Sequence, residues 1–138
     1  MGIRILLADD QPLLRKALRM LLATEADLEV VEAADGATAV RLAAESPPDV
    51  VVMDLNMPGL SGVDATRRIL ADHPGTKVLV LSGLSDERTV RDAFDAGATG
   101  YVVKDAAHEE LAHAVRTVLA GKVYLSPGLG GAGPATLP

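Results

Sequence analysis

Three carboxylates, a hydroxyl and an ammonium carry the chemistry available to this sequence. Asp54 closes the run Val50-Val51-Val52-Met53-Asp54 and is followed by the turn formers Asn56, Pro58 and Gly59, while Asp9 and Asp10 follow the run Ile3-Arg4-Ile5-Leu6-Leu7-Ala8. Apolar, β-branched runs of this length fit strands buried on both faces. Aspartate is disfavoured inside a strand and costly to bury alone, so an acid at such a strand's tip is exposed, metal-bound or hydrogen-bonded. Two further apolar runs end on Ser82 and Lys104. Three carboxylates in close quarters repel, and a raised pKa or a divalent cation relieves them. All-oxygen donors favour Mg²⁺ or Mn²⁺ over zinc. A hard cation, a fixed ammonium and a hydroxyl aimed at one point suit the equatorial oxygens of a phosphoryl group in transfer. In that chemistry Asp54 is the nucleophile and an acyl phosphate is the product.

The elements that must position these groups read in order. A strand over residues 3–8 precedes a helix opened by Pro12, with Leu14, Leu18, Leu21 and Leu22 at helical spacing and Ala17 alongside. A second strand spans residues 28–33, and a helix over 37–45 has an apolar face of Val40, Ala43 and Ala44. The central strand ending on Asp54 comes next, then a helix capped by Ser61 with Asp64 at its third position. A fourth strand over 78–81 leads to a helix capped by Ser85, and a fifth strand over 100–103 leads to a helix over 107–120 stopped by Gly121. Five strands alternating with five helices predict βαβ units and a doubly wound α/β fold with a parallel sheet. Ligands bind outside the carboxyl ends of such strands, where Asp9, Asp10, Asp54, Ser82 and Lys104 gather. Residues 1–122 are therefore expected to form the domain. Residues 123–138, rich in Gly and Pro, are expected to form a linker or tail.

Composition narrows the class. A chain of 138 residues suits one domain. A net charge of -6 argues against nonspecific nucleic-acid binding by this segment, because phosphate contacts need clustered Lys and Arg. Without cysteine there is neither a disulfide framework nor a thiolate metal site. No apolar run approaches the roughly 20 residues that span a bilayer, and the N-terminus lacks a signal-peptide pattern. These features predict a cytoplasmic protein with no membrane partner.

The acidic pair in Leu7-Ala8-Asp9-Asp10, the stretch Asp54-Leu55-Asn56-Met57-Pro58-Gly59-Leu60-Ser61-Gly62, Ser82 and Tyr101-Val102-Val103-Lys104 together resemble the receiver domain of bacterial two-component response regulators, over about residues 3–121. The resemblance implies a flavodoxin-like sheet of five strands in the order 2-1-3-4-5. It also implies that Asp54 accepts a phosphoryl group from a sensor histidine kinase. Asp10 would hold Mg²⁺ directly and Asp9 largely through water, with Asp54 and the backbone carbonyl of Asn56 completing the protein ligands. Lys104 would pair with the phosphoryl group, Ser82 would move to hydrogen-bond it, and Tyr101 would rotate inward behind it. Asp9-Asp10-Gln11-Pro12-Leu13, Gly97-Ala98-Thr99-Gly100-Tyr101, Lys104-Asp105 and Tyr124-Leu125-Ser126-Pro127 further resemble the LuxR, NarL and FixJ type, whose receivers precede a helix-turn-helix output domain. No such domain follows Pro127, so the expectation is either a stand-alone receiver or, favoured by the linker-like Tyr124-Leu125-Ser126-Pro127, a receiver fragment that reaches DNA only through an output domain absent from this chain. A homodimer through the helix at residues 86–96, or through those at Pro12 and Ala107, is also implied.

Two readings stand beside the phosphorylation switch. A pseudo-receiver would be a constitutive interaction module, and such modules normally lack a site residue that is present here. A metal-dependent phosphohydrolase with an aspartyl-phosphate intermediate would place a second acid two residues after the nucleophile, where this chain has Asn56. Turnover is therefore expected to be limited to self-dephosphorylation. Gln11, where the subfamily often has His, reads as a surface change beside the site. Arg15, Lys16, Arg67 and Arg68 read as solvated helix faces, and His73, His108 and His113 as surface histidines.

Overall fold

The computed structural model describes residues 2–129, so residues 130–138 of the expected tail lie outside it. Six parallel strands, β1 (Ile3–Ala8), β2 (Leu28–Ala33), β3 (Val50–Asp54), β4 (Lys77–Ser82), β5 (Gly100–Val103) and β6 (Tyr124–Leu125), form one sheet in the order β2-β1-β3-β4-β5-β6. Five helices connect them: α1 (Pro12–Ala23), α2 (Gly36–Glu45), α3 (Gly62–Asp72), α4 (Glu87–Asp95) and α5 (Ala107–Leu119), the last entered through a 3-10 turn at Lys104–Ala106. No helix among the described residues is long and apolar enough to cross a membrane.

Alternation along the strands divides the core into two layers, because successive side chains point to opposite faces. Leu6, Ala8, Val51, Met53, Val78 and Val80 pack with Ala39, Ala65, Ile69, Val90 and Phe94 of α2, α3 and α4. Ile5, Leu7, Val50, Val52, Leu79 and Leu81 pack with Leu18 and Leu22 of α1 and with Leu111, Val115 and Val118 of α5. β3 is buried at every position, as its unbroken apolar run predicts. The helical faces differ from expectation in detail. Ala17 and Ala44 are exposed, and in α2 Ala39 is buried together with the expected Ala43.

Ser61 caps α3 as expected, accepting from the Asp64 N–H at 3.2 Å. For α4 the cap is Asp86 rather than Ser85: its carboxylate accepts both the Thr89 N–H at 3.0 Å and the Thr89 hydroxyl. A carboxylate also complements the positive helix N-terminus, an advantage a serine hydroxyl lacks. Gly121, with φ +82°, follows the end of α5 in the left-handed conformation that favours glycine. Gly62 is required for closeness. A Cβ there would collide with the Asp54 carbonyl oxygen, and the Gly62 N–H reaches the Leu55 carbonyl at 3.2 Å.

The sixth strand is the main departure from the expected architecture, and it lies in the segment expected to be linker. Tyr124 N–H donates to Thr99 O and Ser126 N–H to Tyr101 O, both at 3.0 Å, which satisfies the outer edge of β5. Glu110 of α5 holds the segment in place. One of its carboxylate oxygens accepts from the Tyr124 hydroxyl at 2.8 Å and from the Ser126 hydroxyl at 2.6 Å. Ser126 Oγ in turn accepts the Val103 N–H at 3.0 Å. Leu129 is buried in the same apolar layer as Tyr101 and Phe94. Two residues are too few to show strand alternation, and Ser-Pro-Gly composition points to a turn, so pairing here depends on contacts distant in sequence.

Two predictions follow from this packing. Gly62→Ala is expected to destabilise the fold by about 1–3 kcal/mol, the usual range for overpacking, measurable by urea denaturation; unchanged stability would show that the α3 entry shifts freely. Burial and Glu110 push the Tyr124 phenol up to about 12. The stability this shift carries is complete below the ordinary value of 10.0 and lost as pH rises through about 12. Glu110→Ala should bring the tyrosinate titration seen by ultraviolet absorbance back toward 10 and speed exchange of the Ser126 amide, whereas an unmoved titration would dismiss the latch.

Candidate functional site

Strand register builds the site before any side chain is considered. Ala8 pairs with Met53, so Asp9 and Asp54 are each the next residue on adjacent strands. Asp54 pairs with Leu81, and Ser82 pairs with Val103, so Ser82 and Lys104 follow in the same direction. β1 and β3 are also where the strand order reverses, and the crevice at such a switch point is where open α/β sheets bind ligands.

The side chains converge as the register requires. Asp54 is 1% exposed; its Oδ1 accepts the Asn56 N–H and its Oδ2 meets the Lys104 ammonium, both at 3.1 Å. Asp9 is fully buried, with Oδ1 accepting the Gln11 N–H at 2.7 Å. Its Oδ2 has no hydrogen bond, and the Lys104 ammonium lies 3.6 Å from it. Asp10 is half-buried beside them, and carboxylate oxygens of Asp9, Asp10 and Asp54 lie within 4.8 Å of one another. Burial pushes the Asp54 carboxyl above the ordinary carboxylate range, and the charge of Asp9 adds to this. The Asn56 N–H and Lys104 oppose the shift without overcoming it.

A buried carboxylate oxygen without a partner, next to two further carboxylates and a single ammonium, leaves negative charge uncompensated. The set of oxygen donors therefore fits a hard divalent cation. Asn56 is exposed and enters the site through its N–H.

Ser82 is buried at the end of β4, and its Oγ accepts the Leu84 N–H at 3.1 Å. Tyr101 lies inside the protein, fully buried, with its hydroxyl donating to Leu84 O at 2.7 Å. Burial raises the Tyr101 phenol, the nearby Ser82 hydroxyl works against this, and the Asp86 charge adds to it.

Two residues are closer to the chemistry than their sequence context suggests. Gln11 is exposed, yet its Oε1 accepts from Lys104 Nζ at 2.7 Å while its N–H holds Asp9. Arg15, expected on a solvated helix face, is 19% exposed; it donates from Nη1 to Asp9 O at 2.7 Å and from Nε to Glu32 at 3.0 Å. Its place at the fourth helical position after the acidic pair, one turn back over the loop, is the only sequence signal. His113 stacks edge-on against Tyr124 at 5.8 Å and belongs to the β6 contact.

Comparison with known proteins agrees with this geometry. Residues 5–116 match the family described as response regulator receiver domain. The chain is similar to the response regulator GacA of Pseudomonas aeruginosa, 41% identical over 91% of this chain and 59% of that protein. It is equally similar to the transcriptional regulatory protein DegU of Brevibacillus brevis, 41% identical over 91% of this chain and 53% of that protein. It thus spans just over half the length of these curated relatives. Among solved structures, a two-component response regulator of the LuxR family from Aurantimonas sp. SI85-9A1 superposes with a TM-score of 0.90 at 38% identity, covering 96% of this chain and 95% of that one. With the acidic crevice, its lysine and the parallel sheet all in register, the chain belongs to the response regulator receiver domain family of two-component systems, within its LuxR-type branch.

Proposed function

We propose that Asp54 accepts a phosphoryl group from the phosphohistidine of a sensor kinase, with Mg²⁺ held by Asp9, Asp10, Asp54 and the Asn56 carbonyl. The observation that carries this reading is the burial of Asp54 against Lys104, beside the unpartnered oxygen of Asp9. Mg²⁺, when bound, neutralises charge on the phosphoryl oxygens and on the carboxylates around it.

The protein's own groups supply position and field. A P–O bond forms to an Asp54 carboxylate oxygen as the donor's P–N bond breaks, and the electron pair stays on the imidazole nitrogen, which takes up a proton. Lys104, already 3.1 Å from Asp54, pairs with the transferred group. Ser82 turns its hydroxyl proton toward it, and Tyr101 occupies the space behind. Asn56, two residues past the nucleophile, has no titratable proton to give or take, so loss of the phosphoryl group is slow and no external substrate turns over. The altered surface then governs dimerisation and, through a DNA-binding segment outside this chain, transcription. A cytoplasmic location follows from that role.

Intact mass after incubation with acetyl phosphate tests the proposal. A single phosphoryl adduct is expected with Mg²⁺, absent with chelator and absent in Asp54→Ala; no adduct on the wild type would favour a constitutive binding module. A second expectation follows from the raised Asp54 pKa. Stability carried by a neutral carboxyl is present below the ordinary value of 3.8 and lost as pH rises through the folded value, so at pH 7 the ionised group costs stability. Asp54→Asn should therefore melt higher than wild type in chelator. Mg²⁺ at a hundredfold excess over its Kd should stabilise wild type by about 2.7 kcal/mol and the variant by less. A lower melting temperature for the variant in chelator would contradict this charge balance.

A further inference from the structure

Asp9 is held at every polar atom except one. Its N–H donates to Ala33 O at 3.1 Å, its carboxylate Oδ1 accepts the Gln11 N–H at 2.7 Å, and its carbonyl accepts from Arg15 Nη1 at 2.7 Å. Only Oδ2, 3.6 Å from Lys104 Nζ, is without a hydrogen bond, and the Asp9 carboxylate lies beside those of Asp10 and Asp54. Two of these three restraints are backbone groups that any sequence would offer. The third is a long side chain from α1.

That side chain is itself fixed. Arg15 Nε donates to Glu32 Oε1 at 3.0 Å, and Glu32 Oε2 faces Arg19 Nε at 3.3 Å, so one carboxylate at the end of β2 gathers two guanidinium groups one turn apart on α1. A guanidinium is planar and its donors are rigidly spaced. Bonding one edge to Glu32 and the other to the Asp9 carbonyl therefore sets the distance between the end of β2 and the acidic loop after β1. Arg15 and Glu32 are 19% and 31% exposed, so solvent screens this pair less than the surface pairs elsewhere on the helices.

We propose that Arg15, oriented by Glu32, is the positioning residue that aims the Asp9 carboxylate into the cation site. The inference rests on the Mg²⁺-assisted reading of that site. Arg15 donates no group to the cation or the phosphoryl group and acts through Asp9. The arrangement has the form of metal sites in which outer partners orient the ligands, where losing such a partner lowers metal affinity about 10–100-fold.

The sign of the effect separates positioning from charge. A positive group near the site repels a cation, so if Arg15 mattered only as a charge, its removal would tighten Mg²⁺ binding. Positioning requires the reverse. Calorimetric titration with magnesium chloride alone, at a temperature where circular dichroism shows each variant folded, is expected to give about tenfold weaker binding for Arg15→Met. Arg15→Lys keeps the charge but cannot span both partners, and it should also bind more weakly. Glu32→Gln should weaken binding to a lesser extent and add nothing further in the Arg15→Met background. In the metal-free protein the Gln11 amide resonance should move in Arg15→Met, since its acceptor is Asp9 Oδ1.

Equal or tighter Mg²⁺ binding by Arg15→Met would overturn the proposal while leaving the site's chemistry standing. Absence of Mg²⁺ binding by the wild type would overturn the Mg²⁺ reading and this inference together. Should Arg15→Met fail to fold, Glu32→Gln with unaltered Mg²⁺ affinity would be sufficient to overturn it.

Discussion

Two buried carboxylates at the ends of adjacent strands share one ammonium, and the arrangement of the rest of the protein follows from that shortage of positive charge. Asp9 and Asp54 are essentially without solvent, where ionised groups are costly unless paired. Lys104 is drawn toward three acceptors, Gln11 Oε1 at 2.7 Å, Asp54 Oδ2 at 3.1 Å and Asp9 Oδ2 at 3.6 Å. It can do so only because β5 ends level with β4 and turns at once into the 3-10 segment that begins on Lys104. The sheet supplies alignment, and the deficit at its edge is of the kind that a divalent cation would relieve.

Much of this was legible in the sequence because it depends on position along strands. Apolar runs located five of the six strands, and the residue after each run named Asp9, Asp54, Ser82 and Lys104, which the parallel register then aligned. Reach across elements was not legible. Arg15 and Gln11 look like solvent-facing residues of a helix and its cap, yet one spans to β2 and the other to Lys104 in the 3-10 turn after β5. Long polar side chains cover ground that periodicity does not record. The sixth strand escaped notice for a related reason, since Glu110, which fixes Tyr124 and Ser126, sits on the preceding helix with no sequence feature marking it as a partner.

A line of hydrogen bonds joins the site to that last strand. Leu84 N–H donates to Ser82 Oγ, Leu84 O accepts from the Tyr101 hydroxyl, and Tyr101 O accepts from Ser126 N–H. Each link shares a residue with the next. The side chain of Tyr101 also packs in the same apolar layer as Leu129. Close-packed layers pass a displacement on because they have no free volume in which to absorb it.

The occupancy of Ser82 determines which way such a displacement would run. A hydroxyl has one proton to donate and two lone pairs, and the Leu84 amide uses only a lone pair. Ser82 can therefore donate to a phosphoryl oxygen on Asp54 without first breaking its bond to Leu84. Were Ser82 to move toward a phosphoryl group on Asp54 with both bonds kept, Leu84 would have to follow, and the Tyr101 hydroxyl would have to follow Leu84 O or lose a buried acceptor, at about 1–3 kcal/mol. One new bond from Ser82, with retention of the existing bonds behind it, is what would carry the effect of a charge added at Asp54 to β6.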